Sequence, residues 1–541
     1  MKCLRTPPRG AMNVLSTLLG GLVIATLLAS AGCTDGDATG TTGAATTGNV
    51  PNTQVAGIES TDNGGYGERE PLDPVKTNGP IFVDWQAPRL ALVITGEQLG
   101  YLEPCGCAGL ENQKGGMARR HTFIEQLRQD RGWPVVAVDN GALIRHFGHQ
   151  AEIKFQTSVS AVNTMQYDAI GFGTGDLMLT AEFLLGATSG GVDGRPSPFL
   201  SANVALFGFE AEATPRFRVV EAGGMKVAIT SILGSKYQAE VTNADVVFAD
   251  PQEALAEIMP QIDAAGCDVH VLLAHATPEE SAELARQFPQ FDVVVTAGGA
   301  DEPPAEAATI EGSDAQLIET GHKGMYAIVL GLQAGGHWDY QRVPLDSRFD
   351  DSPEMRQLMT AYQAQLREEG WDGLGLSWLV HERSTGPDDP AGQFVGSKKC
   401  GECHTQAYAK WSTTGHFHAT ESLVKLDPQR QFDPECISCH STGWAPQQYE
   451  PYRTGFESLE TTPHLASNGC ENCHGPGQAH VEAEAGKDIA LRERLRASMR
   501  LTSATAEEQV CAKCHDHDNS PGFIRDGFAV YWPKIEHKGK K

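Results

Sequence analysis

The chain is poor in positive charge. It contains 42 Lys and Arg residues against 69 Asp and Glu, a formal net charge of −27 over 541 residues. From residue 395 onward there are 17 basic and 19 acidic residues, so nearly all of the acidic excess lies before that point. Phosphate backbones attract proteins of the opposite sign. The composition therefore argues against nucleic acid as a partner.

Long apolar runs are also scarce. The run Val14 to Leu28 is the one segment of the sequence apolar enough for membrane insertion. Lys2, Arg5 and Arg9 precede it and small residues follow it, a layout that is typical of an export signal. We therefore predict a signal peptide at residues 1–32.

The end of this signal has two interpretations. Ala29-Ser30-Ala31 fits ordinary cleavage, whereas Ser30 to Cys33 resembles the bacterial lipoprotein box, in which the cysteine is acylated. The box has Ser30 where Leu is usual, and we expect lipidation of Cys33. Residues 33–79 are rich in Gly, Thr, Asn and Asp, which predicts a flexible linker.

Cysteine is sparse, but eight of the 13 cysteines fall in one repeated pattern. Four Cys-x-x-Cys-His motifs occur in order: Cys400/Cys403/His404, Cys436/Cys439/His440, Cys470/Cys473/His474 and Cys511/Cys514/His515. In c-type haem attachment two thiols bond to the porphyrin and the adjoining imidazole ligates the iron. Structural zinc and disulfides need no His after each second Cys. We therefore predict four covalent haems, with these four histidines as proximal iron ligands.

Few cysteines remain outside the motifs. Cys3 lies in the signal, and Cys267 precedes an apolar run, where it is most simply a buried small hydrophobe. Only Cys105 and Cys107 are then left, apart from Cys33. Covalent haem and an export signal together predict the periplasm, with a lipid anchor to a bacterial membrane.

Between residues 80 and 346 short β-rich runs alternate with segments of helical periodicity, which predicts an α/β domain with layered sheets. The predicted strands are 90–95, 135–139, 169–173, 199–204, 227–233, 269–273, 293–296 and 326–332. The predicted helices are 118–128, 251–265 and 278–288. A helix at 353–369 begins a helix-and-linker segment at 347–394, and the haem domain occupies 395–541.

Four blocks of the α/β domain occur in a defined order: TGEQLGYLEPCGC at 95–107, GGMARRHT at 115–122, PFLSANV at 198–204 and VLLAHATPEE at 271–280. Together they resemble the bacterial 5′-nucleotidase type of metallophosphoesterase. The resemblance implies a four-layer α/β/β/α sandwich with a two-metal site at the strand ends.

Most metal ligands of that family are replaced here. Its Asp-x-His is Glu97-Gln98-Leu99, its Gly-Asp is Gly141-Ala142, its Gly-Asn-His-Glu ends in Asp176, its Gly-His-x-His ends in Asp301, and His275 alone keeps a ligand's identity. Two-metal hydrolysis needs a full set of carboxylates and imidazoles. We therefore expect no phosphoesterase activity.

A repurposed metal or redox site is a further hypothesis for this domain. Two thiolates with an imidazole suit copper, zinc or iron, and the alternatives are a local disulfide or cysteines that only pack. The residues concerned are Cys105, Cys107, Glu97, Asp176, His275 and Asp301. Five other histidines have no partner at ligand spacing, and we predict no metal role for them: His146, His149, His322, His337 and His381.

The haem domain holds four motifs in too few residues for a conventional core, so we expect porphyrins to form the core among short helices and loops. Residues 400–420, 470–480 and 511–521 resemble the tetrahaem cytochromes that accept electrons from hydroxylamine oxidoreductase. The resemblance implies His416 or His418, and His480, as distal ligands, with one iron of that family five-coordinate. Further distal candidates are His464 and His537, and His517 ranks last because it lies beside its own motif.

The sequence favours a periplasmic multihaem electron carrier whose phosphoesterase-like domain has lost its metal ligands. Its partners would be redox proteins, an electron donor and an acceptor. Two alternatives stay open. The first is a redox enzyme acting on a small inorganic substrate at an open haem or at the Cys105/Cys107 site, and the second is a hydrolase with a haem appendage.

Overall fold

The computed structural model describes residues 73–104, 113–191, 194–516 and 519–538. These ranges all fall in one compact unit, Asp62–Lys541. The predicted signal peptide, Cys33, most of the predicted linker, Cys105, Cys107 and His517 lie outside the described residues. Within the described ranges no helix combines the length and apolar character that a membrane crossing needs.

The strands of the described residues are short, and all but the last two lie before residue 345. They are β1 Leu90–Thr95, β2 Val135–Asp139, β3 Ala169–Ile170, β4 Val204–Leu206, β5 Phe217–Ala222, β6 Met225–Leu233, β7 Val246–Phe248, β8 Val269–His275, β9 Val293–Thr296, β10 Ala308–Thr309, β11 Gln316–Glu319, β12 Tyr326–Leu332, β13 Trp338–Pro344, β14 Trp444–Ala445 and β15 Glu450–Pro451.

The α-helices occur throughout the described residues. They are α1 Pro74–Asn78, α2 Met117–Glu125, α3 His149–Thr164, α4 Ala181–Thr188, α5 Ser235–Gln238, α6 Pro251–Ala264, α7 Pro278–Gln287, α8 Pro353–Gly373, α9 Ser397–Gly401, α10 Thr405–Trp411, α11 Ala419–Val424, α12 Pro434–His440, α13 Cys470–His474, α14 Gln478–Ala485, α15 Ile489–Ser498, α16 Ser503–Gln509, α17 Pro521–Asp526 and α18 Phe528–Ile535.

Strand β1 is the centre of a five-stranded sheet with the order β13-β12-β1-β2-β3. It runs parallel to β2 and antiparallel to β12. All six of its residues, LALVIT, are buried, as expected for a strand that is covered on both faces. Its side chains alternate between the two faces of the sheet, and each fully buried Leu or Val stabilises the fold by about 1.5–3 kcal/mol.

A second sheet of six strands has the order β10-β11-β9-β8-β6-β5. Leu92 of the first sheet and Val271 of the second belong to one buried cluster between the sheets. Val93, on the other face of β1, packs with α2, α3 and α8, while α6 and α7 cover the outer face of the second sheet. The predicted four-layer α/β/β/α architecture is thereby confirmed. Residues 80–346 are called the sandwich below.

Several predicted elements match the structure and others do not. The strands predicted at 90–95, 135–139, 293–296 and 326–332 coincide with β1, β2, β9 and β12. The strand predicted at 199–204 is wrong over most of its length, because β4 begins at Val204. The side chains of Ser201 and Asn203 bond to nearby backbone instead, Ser201 Oγ accepting from Val204 N at 3.2 Å and Asn203 Nδ2 donating to Leu233 O at 2.8 Å.

Helix α8 joins the sandwich to the rest of the chain. Met355, Met359, Tyr362 and Leu366 form its buried face and belong to the core cluster of the sandwich. Trp371, near the end of the helix, packs against both that cluster and a second cluster farther along the chain. The predicted helix at 353–369 is confirmed, and the helix contacts the core clusters of both the sandwich and the region that follows it.

Residues 395–541, called the haem region below, contain short helices and little sheet. Among the described residues, the apolar cluster formed by this region and the preceding Phe394 has six buried members: Phe394, Leu423, Ile437, Trp444, Phe456 and Leu465. Helix α15 has no buried side chain. A region of this length needs more buried apolar surface than that, which fits the prediction that porphyrins supply the core.

Candidate functional site

Each Cys-x-x-Cys-His motif forms about one helical turn. The second motif lies within α12, the third is α13, and the fourth begins on the 3-10 helix Cys511–Lys513. In the first motif His404 N donates to Cys400 O at 2.9 Å. Residues three and four apart share one face of a helix, so both thiols and the imidazole of a motif lie on the same side.

Cys403 of the first motif differs in burial from the other motif cysteines. It is exposed, whereas the other seven are partly buried, so the structure does not enclose this predicted haem-binding thiol as it does the others. The reason is its position just after α9, beside the exposed Glu402, while Cys400 at the other end of the motif faces Cys470. A thioether at Cys403 would therefore lie at the protein surface.

Three of the four motif imidazoles have a hydrogen bond at Nδ1. His440 Nδ1 donates to Ala419 O at 2.8 Å, and His474 Nδ1 donates to Met499 O at 2.7 Å. His515 Nδ1 lies 2.8 Å from Ser520 Oγ. Such a bond fixes the tautomer and ring orientation and leaves Nε2 for a metal. These residues fit a haem iron as their ligand partner.

Three motif imidazoles face a second imidazole from elsewhere in the chain. The ring centroids are 6.3 Å apart for His404 and His480, 5.9 Å for His515 and His416, and 5.8 Å for His474 and His537. A metal bonds an imidazole nitrogen at about 2 Å, so two imidazoles on opposite sides of one iron have centroids roughly 6 Å apart. The three pairs have the spacing of axial ligand pairs.

Two predicted distal candidates are placed differently. His418 Nδ1 lies 2.7 Å from Glu421 Oε2, and its side chain is 52% exposed. His464 is exposed and lies beside Gly396. Neither ring contacts a motif imidazole within the described part of the chain, and there His440 of the second motif has no second imidazole against its ring.

Burial favours the neutral form of four imidazoles in these pairs. Burial lowers the pKa of His416 to about 4, and burial also lowers the pKa of His474, His480 and His515. Neutral imidazole is the form that ligates a metal. The local environment therefore favours ligation at neutral pH.

The motifs contact one another in pairs. The thiols of Cys400 and Cys470 are within hydrogen-bonding distance of each other, and so are those of Cys439 and Cys514. The first motif thus adjoins the third, and the second adjoins the fourth. Because such sulfurs bond to porphyrin edges in c-type cytochromes, haems attached at two paired motifs would lie close together.

A buried carboxylate ties two of the motifs together. Glu471, inside the third motif, is 2% exposed and accepts hydrogen bonds from Val395 N, Gly396 N and Gly477 N at 2.9, 2.7 and 2.7 Å. Burial raises its pKa, which these three donors oppose. The segment that leads into the first motif is therefore anchored on the third.

The sandwich brings some former metal-ligand positions together. Glu97 accepts from Gly298 N at 3.2 Å and lies 3.5 Å from His322 Nε2, while His322 Nδ1 lies 2.7 Å from Asp301. Burial raises the pKa of Glu97 to about 7. The structure thus places His322, predicted to be isolated, between two predicted site residues.

A sequence signal for His322 was available. It follows β11, which runs parallel to β9, and Asp301 follows β9. The carboxyl ends of parallel strands meet at one edge of a sheet, where ligand sites form. Strand β11 was not predicted, so this proximity was missed.

The other predicted site residues of the sandwich have local roles. Asp176 accepts from the backbone N–H of Ala142, Ile144 and Gly173 at 2.8, 3.2 and 2.9 Å, and burial raises its pKa to about 7. His275 Nδ1 donates to Asn140 O at 3.0 Å, and burial lowers its pKa to about 4. The described residues contain no group of three or more His, Cys, Asp or Glu side chains placed to hold a metal ion.

The remaining isolated histidines have ordinary partners. His149 Nδ1 lies 2.9 Å from Glu152, His337 Nε2 lies 3.6 Å from Asp339, and the ring of His381 lies 4.8 Å from that of Tyr452. His146 contacts the ring of Tyr449 in the haem region at 5.6 Å. That contact crosses from the sandwich to the haem region.

The helical motifs, the oriented imidazoles and the three imidazole pairs form an arrangement that could hold several c-type haems. Residues 399–475 match the family model described as cytochrome c554 and c-prime. The chain is 29% identical over 189 residues to cytochrome c-554 of Nitrosomonas europaea, a match that covers 31% of this chain and 77% of that protein. The predicted resemblance of the haem region is confirmed.

Solved structures with similarity to the sandwich include three hydrolases. A 5′-nucleotidase precursor of Thermus thermophilus is 19% identical with a TM-score of 0.44, over 52% of this chain and 59% of that one. The sulfate thiohydrolase SoxB of the same organism is 15% identical with a TM-score of 0.43, over 53% and 62%. The calcineurin-like phosphoesterase YfkN of Bacillus subtilis is 18% identical with a TM-score of 0.40, over 51% and 97%. The match thus covers less than two thirds of the first two proteins.

Proposed function

We propose that this chain is a tetrahaem electron-transfer protein of the periplasm, held at a bacterial membrane by acyl chains on Cys33. The spacing of 5.8 to 6.3 Å between three motif imidazoles and three other histidines carries the proposal. An iron with two imidazole ligands is saturated and suited to electron transfer. Its partners would be a protein electron donor and a protein acceptor.

The protein's part in this function is to orient and space the cofactors. Bound haem supplies reversible one-electron chemistry at its iron. Nδ1 hydrogen bonds of His440 and His474 hold each ring in one orientation, and contact between paired motifs keeps the attachment points adjacent. Burial of Glu471 against the segment before the first motif fixes the spacing of that pair.

The mass of the intact protein tests the cofactor count and the anchor together. We expect holoprotein extracted from membranes of a host competent in cytochrome maturation to exceed the chain that begins at Cys33 by four haems and the acyl groups. A Cys33→Ala variant is the control, and it should appear in the soluble fraction with the haem mass unchanged. A colourless chain without added porphyrin mass would contradict the proposal.

A second candidate function is binding of a small inorganic ligand at the haem of the second motif. It is favoured by one observation: within the described residues His440 has no imidazole partner, whereas the other three motif imidazoles have one. A vacant sixth position permits ligand binding. Carbon monoxide binding by the reduced protein, at one equivalent per chain, would support this function, and no binding would oppose it.

We also infer that the sandwich is not a working phosphoesterase. Two-metal hydrolysis requires carboxylates and imidazoles that are free to bind two cations. Asp176 instead accepts hydrogen bonds from three backbone N–H groups, and His322 contacts both Glu97 and Asp301.

Phosphatase assays test this inference. With 4-nitrophenyl phosphate or a nucleoside monophosphate and added Mn²⁺, Zn²⁺ or Mg²⁺, we expect no hydrolysis above background, while a 5′-nucleotidase assayed in parallel gives the positive control. Metal-dependent turnover that co-purifies with the chain and is removed by a chelator would refute the inference.

A further inference from the structure

A buried cation of the sandwich lies against the second haem motif. Lys154 is on α3, and its Nζ lies 2.6 Å from Glu435 Oε2. Glu435 is the residue before Cys436, in the first turn of α12. The two side chains are 9% and 25% exposed, so this ion pair is largely shielded from solvent.

The start of α12 is held from two elements outside the haem region. Asp433, its N-cap, accepts from Glu435 N at 3.0 Å and is 6% exposed. Gln150 of α3 donates to Asp433 Oδ1 at 2.9 Å, and Tyr362 of α8 donates to Oδ2 at 3.3 Å. A polar network therefore connects the sandwich directly to the helix that carries Cys436, Cys439 and His440.

The charge on Lys154 is permanent at neutral pH. Burial alone would lower the pKa of Lys154, but Glu435 and Asp433 outweigh it, and the pKa is raised. A buried charge acts over a longer range than an exposed one, because the surrounding medium is less polar and counterions are kept away.

Other charged groups also face this junction. His146 and Arg145 of the sandwich lie close enough to Glu435 to lower its pKa, after the larger effects of burial and Lys154. Tyr449 contacts His146, and its pKa is raised by burial and further by Glu435. The sandwich thus contributes several positive or polar groups next to the second motif.

We propose that Lys154 of the sandwich is a positioning residue for the haem attached at Cys436 and Cys439, holding its attachment helix through Glu435 and raising its reduction potential with a buried positive charge. The sandwich, whatever else it binds, is then part of the surroundings that set the properties of one haem. The inference rests on the proposed attachment of haem at the second motif.

Charge-changing variants of the pair test the proposal by redox titration of the holoprotein, followed through the haem absorption bands. Reduction adds one electron to a haem, and a nearby positive charge stabilises the reduced form. Lys154→Met should therefore lower one of the four midpoint potentials, and Glu435→Gln should raise the same potential. A tenfold change in the reduction equilibrium corresponds to about 59 mV for one electron. The double variant Lys154→Met, Glu435→Gln should return close to the original value, as should Lys154→Arg.

A matched control uses an exposed lysine near the same helix. Lys425 has a 71% exposed side chain paired to Glu421, and it follows α11, which packs on α12. Lys425→Met should leave all four potentials unchanged, since an exposed charge is screened by solvent and salt.

Failure of haem attachment at the second motif and failure of the role of Lys154 give different results. Absence of haem mass at the second motif of the unaltered protein removes the foundation itself. A folded Lys154→Met protein with four unshifted potentials, or with all four shifted equally, overturns the role of Lys154. If Lys154→Met loses one haem while the double variant retains all four, the positioning role is supported, and loss of haem from every motif in both variants refutes it.

Discussion

Replacing His416 by Ala is expected to convert one low-spin iron to high spin and to let the reduced protein bind one additional equivalent of carbon monoxide per chain. The His416 ring lies 5.9 Å from that of His515 in the fourth motif. Removing it leaves that iron with one axial imidazole and an open position. Electron paramagnetic resonance of the oxidised protein and carbon monoxide difference spectra of the reduced protein measure the change.

His418 provides the matched control for this prediction. It lies two residues away, but its side chain is 52% exposed and contacts Glu421. His418→Ala should therefore leave spin states and carbon monoxide binding unchanged. If His418→Ala produced the new high-spin signal and His416→Ala did not, the assignment of the pair His416 and His515 would be wrong.

Replacing Arg120 by Met is expected to destabilise the sandwich by about 3–5 kcal/mol, the usual cost of removing one partner from a buried ion pair. Arg120 is fully buried, with Nη1 3.7 Å from Asp139 Oδ2 and Nη2 bonded to Gln98 Oε1. Thr95 Oγ1 also donates to Asp139, at 2.6 Å. The midpoint of urea unfolding, followed by far-ultraviolet circular dichroism, measures the loss.

The deficit of this variant should depend on pH. Burial raises the pKa of Asp139, and Arg120 opposes that shift, so loss of Arg120 raises the folded pKa further. The destabilisation is then complete above the folded pKa, where the carboxylate is charged, and it diminishes as pH falls through that value. At pH 8 the urea midpoint of Arg120→Met should lie well below that of the unaltered protein. At pH 5 the difference between the two midpoints should be smaller.

Two further variants bound this result. Arg120→Met combined with Asp139→Asn should recover part of the stability, because no buried charge is left unpaired. Arg356→Met removes an exposed partner of Asp427, 3.4 Å away, and should change stability by less than about 1 kcal/mol. Equal losses for Arg356→Met and Arg120→Met would contradict the role assigned to the buried pair.

The sequence predicted the interior of the sandwich better than its margins. Strands β1, β2, β9 and β12 consist mainly of apolar residues, and their ends were predicted correctly. Strand β13 has five partly exposed residues among its seven, and β5 lies at the edge of its sheet. Edge strands bury less, so their apolar pattern is weak.

Site residues followed the same division between local and distant information. The motif residues of the haem region are adjacent in sequence, and one helical turn brings them together. The exposure of Cys403 and the pairing of His480 with the first motif and of His537 with the third depend on contacts across many intervening residues. The family resemblance implied His416 or His418, and His480, as distal ligands, and His464 and His537 were further candidates, but the sequence could not assign any of them to a motif.

Helix α8 packs against both the sandwich and the haem region. Its buried face, including Met359 and Leu366, closes the sandwich core, while Trp371 near its end packs against Trp444 with ring centroids 5.1 Å apart. If the polypeptide were divided after residue 346, the sandwich would lose α8 and its apolar face would be exposed. If it were divided at residue 394, the haem region would lose its contact with Trp371. Evolution of this gene by simple joining of two finished modules would have required both surfaces to be remade at the junction.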